Sequence, residues 1–205
     1  AGLFYSILIL FEVRMSPQLH TWVYGYFPHI FNQEVRFGGF RPVVFMGHGL
    51  LVSFFTVIIL ISATALWNNR IKIRLITAKS ASYYFLALLV LCKGLASLVY
   101  GVFAFFLLKW SKSKTQHHVA IFLVSLALLY PLMSIVDVFP HNSIIEVAKK
   151  IDAERAGSLE FRFDNEEVLV NHGREHFFFG WGGWGRNRVY DNETGKDISV
   201  TDGHW

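Results

Sequence analysis

The sequence predicts an all-α, polytopic transmembrane helical bundle carrying one large polar loop that contains short helices. Three observations carry the prediction. Residues 43–67, 82–92, 94–108 and 119–136 contain no Asp, Glu, Lys or Arg. Over all 205 residues, 53% are hydrophobic and 17% charged, against the roughly 25% charged of soluble domains. The charges that remain gather in short basic loops and one long tail. A soluble core helix does not stay uncharged for about 20 residues, whereas a helix crossing a ~30 Å hydrocarbon layer must.

The elements follow in order. A first apolar run, about 1–13, is interrupted by Glu12 and followed by Arg14. Met15–Pro42 is a loop rich in aromatic residues (Trp22, Tyr24, Tyr26, Phe27, Phe31), as suits chain lying at a membrane interface. Val43–Trp67 forms the second span, and Arg70, Lys72 and Arg74 follow it. Residues 73–108 read as one long tilted helix or as two helices, about 73–92 and 94–108, with a turn at Lys93-Gly94. Charge favours two. Lys109, Lys112 and Lys114 form a second basic loop, and short Lys/Arg-rich loops stay cytoplasmic. Two crossings put both basic loops on one side. They also leave Lys93 at an interface, where it costs little, rather than in mid-membrane. The fifth span covers 118–138. Loops 15–42 and 139–205 then face the outer compartment.

The tail is a different material. Residues 144–176 are charged and helix-compatible, with apolar positions at Ile144, Val147, Ile151, Leu159, Phe163 and Val168. Phe177 to Arg186 is a Gly/aromatic turn region, 187–200 a polar loop, and Ser199–Trp205 the opening of a further apolar element. The chain begins at Ala1 inside an apolar run and stops at Trp205, so it is expected to be a piece of a longer protein. The first run lacks the basic flank and cleavage site of a signal peptide. The single cysteine, Cys92, excludes a disulfide within the chain and is expected to be a packed thiol.

Several residues invite chemistry. Arg36 and Arg41 bracket Phe37-Gly38-Gly39-Phe40, where glycines admit a close backbone approach and guanidinium groups offer paired donors to phosphate. Anchoring to lipid headgroups is the plainer use. His48 falls about two turns into the second span, where a titratable group is either functional or satisfied by a neighbouring helix. Arg155, Arg162 and Arg174 lie among Glu154, Glu160, Glu166 and Glu167, a pattern that also suits a solvated helix with weak ion pairs. Gly180–Arg188 carries Arg186 and Arg188 but is neither a P-loop nor a dinucleotide fingerprint. Trp181 and Trp184 suit stacking on a sugar or a seat at the interface. No Cys pair and no His/Asp/Glu set has metal-ligand spacing, so no metal or other cofactor is expected. The net charge of +4 divides between loops and tail without a nucleic-acid motif, so no nucleic acid is expected as a partner.

The ordered set of these segments resembles the bacterial O-antigen ligase and O-antigen polymerase superfamily. Arg36-Phe37-Gly38-Gly39-Phe40-Arg41-Pro42 leads into a span as that family's Arg-x-x-Gly motif does. Cys92-Lys93-Gly94-Leu95-Ala96 resembles its Ser-Arg-Gly break between spans, with Lys93 in place of Arg. Ser158-Leu159-Glu160-Phe161-Arg162, then Phe179-Gly180-Trp181-Gly182, resembles the start of its large periplasmic loop. Asp202 and His204 stand where the family has a His-Asn pair. The resemblance implies a metal-independent membrane glycosyltransferase of GT-C type in the bacterial inner membrane. Its donor would be an undecaprenyl-diphosphate-linked oligosaccharide, and its acceptor a glycan or a lipid. Arg36, Arg41, Lys93, Arg162 and Arg186 would hold the diphosphate. Asp202, His204 or His48 would activate the acceptor hydroxyl. Two other classes compete. A transporter or channel would want ionisable groups along a pore, and a non-catalytic membrane scaffold would leave Arg36 and Arg162 replaceable.

Overall fold

The computed structural model describes residues 2–28, 31–36, 38–71, 76–135, 141–151, 153–176, 179–191 and 194–199. It is mostly helical: α1 (Gly2–Met15), α2 (Leu19–Tyr24), α3 (Gly49–Asn68), α4 (Ala78–Leu91), α5 (Leu95–Trp110), α6 (Ser113–Ile135), α7 (His141–Ile151) and α8 (Ala153–Arg174). Among the described residues, two helices, Gly49–Asn68 and Ser113–Ser134 of α6, are long and apolar enough to cross a membrane, while α4 and α5 are shorter apolar helices. The chain divides into two compact units, residues 1–119 and 120–205.

In the first unit α3 packs against both α4 and α5, and α1 touches α4. Ile9, Val52, Val57, Leu60, Phe85, Leu88, Leu89 and Phe105 form its buried apolar centre. Small residues set how close the helices come. A side chain added at Gly101 would run into Leu89, and one at Gly94 would sit 2.8 Å from the Ser53 hydroxyl. Close helix approach through small residues is the packing mode expected where water does not drive association. Buried hydroxyls on these helices donate back to their own carbonyls, Ser53 to Gly49, Thr56 to Val52 and Ser82 to Ala78, so no added polar partner is required.

Helix ends differ from the sequence expectation in instructive places. The second span was expected from Val43, but α3 starts only at Gly49. Val44 (φ 49°) and Gly47 (φ 76°) hold left-handed conformations that no α-helix accommodates. The amides of Val43 and Val44 instead donate to the Glu12 carboxylate at 2.8 and 2.6 Å. The first helix does not stop at residue 13; it carries Glu12 and Arg14 on to Met15. Residues 73–75, the expected start of the third span, lie outside the described residues, and α4 begins at Ala78 behind a Thr77 hydroxyl that accepts from Ser80 N. Between α4 and α5 the chain turns at Lys93 (φ 52°), and Gly94 begins the next helix. α6 starts at Ser113, five residues before the expected His118, and Gln116 there donates to the Ser111 carbonyl at 2.9 Å.

The fold also departs from all-α. The 15–42 loop holds α2, a 3-10 turn at Phe31–Glu34 and a two-stranded antiparallel ladder, β1 (Val35–Arg36) with β2 (Gly39–Phe40). Gly38, at φ 67°, makes the tight reversal between them.

Glu12 is fully buried and also accepts from Leu19 N at 3.0 Å. It therefore satisfies three backbone donors from two separated stretches. Glu12→Ala would leave those donors buried and bare, at about 1–3 kcal/mol each. We expect it to lower the midpoint of thermal unfolding in detergent well below that of Glu12→Gln, which keeps one acceptor oxygen. Equal melting of Glu12→Ala and the parent would remove Glu12 from the fold's foundations.

Candidate functional site

In the first unit the two motifs flanking residues 36–42 and 92–96 meet. The β1–β2 hairpin lies over the α4–α5 turn. A Cβ added at Gly39 would run into the ammonium of Lys93, so that cation rests directly on the hairpin backbone. Arg41 Nη2 donates to the Lys93 carbonyl at 3.5 Å. Arg41 Nε lies 4.0 Å from Glu34 Oε2, and Arg41 N donates to the Glu34 carbonyl at 2.8 Å. Both Glu34 and Arg41 are buried, whereas Lys93 is partly exposed. Gly49 completes the close contact, since a side chain there would strike Arg41 and Glu34.

The depth of this cluster follows from helix register. Gly94 packs on Ser53, one turn inside the start of α3 at Gly49. The Lys93 turn is thus set about one turn inside the α3 N-terminus, with Gly39 and Arg41 against it. Arg41 points inward, with Glu34 as its carboxylate neighbour. It fixes the turn that carries Lys93 rather than standing in solvent.

His48 is not inside a helix. It caps α3, and its Nδ1 accepts from Leu50 N at 3.0 Å. A neutral ring that accepts through Nδ1 carries its proton on Nε2. The cap was hidden because the apolar run continues without interruption from Val43.

The other predicted residues are elsewhere. Arg36 lies in β1, its backbone in register with Gly39. Arg162 is exposed on α8 and Arg186 is exposed in the Gly/Trp loop, both in the second unit. Asp202 and His204 lie outside the described residues.

The second unit has its own polar geometry. Tyr130 and Ser134 of α6 donate hydroxyls to the two oxygens of Glu166 on α8 at 2.5 and 2.6 Å. Trp181 stacks on His172 with centroids 4.2 Å apart, meets His176 edge-on at 4.1 Å, and donates Nε1–H to the His172 carbonyl at 2.7 Å. Arg188 pairs with Asp197 at 2.8 Å, and the Ser199 hydroxyl donates to the same carboxylate at 2.7 Å. Sequence reasoning missed Glu12, Glu34 and Glu166 as structural acceptors. An isolated carboxylate in an apolar run, as Glu12 is, was the available signal.

No protein-family model, no curated protein and no solved structure matches this chain.

Two expectations follow. Gly49→Ala should destabilise the first unit by about 1–3 kcal/mol through overpacking, and also release the Lys93 turn, read as faster amide exchange at 93–95. At the isolated bridge between Tyr190 and Asp197, the Ser199 hydroxyl, with help from its amide and from Arg188, holds the Asp197 carboxyl below its ordinary value. A depressed carboxylate stabilises above its unfolded value and loses that contribution as pH falls through the folded one. The Tyr190–Asp197 bridge should therefore open below about pH 4, seen as loss of amide protection at Ile198, and Asp197→Asn should abolish the pH dependence.

Proposed function

We propose that the chain belongs to a membrane glycosyltransferase of the O-antigen ligase or polymerase type. It would transfer or polymerise an undecaprenyl-diphosphate-linked glycan at the outer face of the bacterial inner membrane. The observation that carries this reading is the meeting of the Arg36–Pro42 hairpin with the Lys93 turn. Two segments some fifty residues apart in sequence bring Lys93 and Arg41 together over a glycine backbone.

The membrane setting is part of the proposal. In it α1, α3, α4, α5 and α6 form a polytopic bundle, with 15–42 and 139–205 periplasmic. α3, at 20 residues, rises about 30 Å, matching a hydrocarbon core. α4 and α5, at 14 and 16 residues, rise only about 21 and 24 Å. Their shared turn therefore lies below the outer headgroup plane. At the opposite end Lys109 sits 3.4 Å over the Trp67 ring, with Tyr83, Phe105 and Trp110 close by. An aromatic belt with basic neighbours suits the cytoplasmic interface.

A diphosphate carried on a lipid arrives from the bilayer, so a cation recessed among short helices meets it at its own depth. Lys93, with Arg36 on the hairpin above, would neutralise the charge that grows on the diphosphate as the sugar departs, without requiring a metal. Arg41, braced by Glu34, holds the lysine turn in place and adds its field. His48, capping α3, stays a candidate to activate the acceptor hydroxyl. Asp202 and His204 keep the role of activating the acceptor hydroxyl. Arg162 and Arg186 are the corresponding cations of the second unit.

The test is transfer from a synthetic undecaprenyl-diphosphate oligosaccharide by the full-length protein at matched expression. Lys93→Ala and Arg36→Ala should each cut the rate by at least tenfold, about 1.4 kcal/mol of transition-state stabilisation. Lys93→Arg should recover most of it. Normal polymer from Lys93→Ala, Arg36→Ala and Arg162→Ala alike would leave a scaffold or transporter as the better reading.

A further inference from the structure

The Gly/Trp loop after α8 carries exposed aromatic rings that the transfer chemistry does not use. Phe179 and Trp184 are 98% and 99% exposed. Large aromatic rings left wholly in water mark an interaction surface rather than a core. The backbone under them is fixed. Trp181 is held by His172 and His176, as described above, and the Arg186 carbonyl bonds the His172 ring at 3.2 Å. The exposed rings thus stand on a braced support.

Two features point to what the tip meets. The first is strain. Gly180, Gly182 and Gly185 take left-handed backbone conformations that suit glycine, yet Trp184, at φ 63°, takes one too. A bulky side chain kept where glycine is cheaper is the kind of outlier that accompanies function. The second is shape and charge. Side chains added at Gly180 or Gly183 would meet nothing within 4 Å, and one at Gly182 would meet only the end of Arg186. The tip is convex and open, not a cleft that would close around a sugar. Residues 172–190 carry three arginines against one acidic residue, and Arg186 stands exposed beside the rings while Arg188 is paired with Asp197.

We propose that Phe179 and Trp184 form a membrane-insertion tip, docking the second unit onto an anionic lipid surface with Arg186 at the headgroup phosphates. Amphipathic aromatic rings and arginine are the residues that partition to that layer. The proposal rests on the membrane reading but not on glycosyl transfer.

The test uses the full chain in a Cys92→Ala background, reconstituted in vesicles of phosphatidylethanolamine and phosphatidylglycerol. Nitroxide labels are placed singly at Phe179→Cys, at Ile58→Cys on α3 and at Gly157→Cys on α8. Collisional access to oxygen and to an aqueous nickel chelate reports depth. The label at 179 should be shielded from the chelate and open to oxygen, as at 58 and unlike 157. Adding Trp184→Gly, which the left-handed backbone accepts, should return label 179 to water. Arg186→Glu should do so in these vesicles. Label 58 in lipid with label 179 in water overturns the insertion tip and leaves the membrane reading intact. Label 58 in water overturns both. A label at 179 that is shielded only when a soluble oligosaccharide is added replaces the lipid with a glycan and overturns the proposal.

Discussion

A carboxylate buried in an apolar helix has to be satisfied by donors brought to it, and the first unit is arranged around one such group. Glu12 accepts from Leu19, Val43 and Val44 amides. Those bonds close the start of α2 and the stretch after Pro42 onto the end of α1. They do not themselves keep α3 from beginning at residue 43, since first-turn amides are free to bond a side chain; the left-handed backbone at Val44 and Gly47 does that. Residues 43–48 are an irregular stretch instead of a turn of helix, with Arg41 before and His48 after the amides that Glu12 holds.

Among α3, α4 and α5, small residues decide the geometry. Gly94 on Ser53 and Gly101 on Leu89 bring α5 close to α3 and α4. That close approach sets the Lys93 turn one helical turn inside the start of α3. Gly39 and Gly49 leave room for the Lys93 ammonium and for the Arg41–Glu34 pair. Each glycine is required by a contact across elements rather than by its local chain. The second unit uses different means, with hydroxyls of α6 on Glu166 and an indole between two imidazoles. Both place rigid polar contacts beneath exposed apolar surface. In a bilayer setting, apolar residues such as Phe122, Leu128 and Leu132 of α6 face lipid at no cost.

The helices were largely legible in the sequence, since long uncharged runs and a basic residue beside glycine at Lys93-Gly94 constrain them locally. The site was legible in part. Arg36, Arg41 and Lys93 stand out as cations at glycine-rich breaks, but their sequence positions say nothing of burial. Arg41 reads only as a cation at a glycine-rich break until Glu34 is seen 4.0 Å from it. His48 reads as a titratable group within a span until its ring is seen to cap α3. Glu12 and Glu34 were overlooked because a lone acid in an apolar stretch announces a partner without naming it.

By itself the sequence determined that the chain is mostly helical, with segments apolar enough for a bilayer, because hydrophobic run length and charge placement are local properties. It also marked the turn at Lys93-Gly94, through the glycine there. Only the tertiary structure decided that residues 43–48 are not helix, that the hairpin rests on the Lys93 turn, and that Arg41 is buried beside Glu34. Those outcomes depend on which buried polar group finds which donor across tens of residues. That pairing is settled by packing, and no periodicity in the chain encodes it.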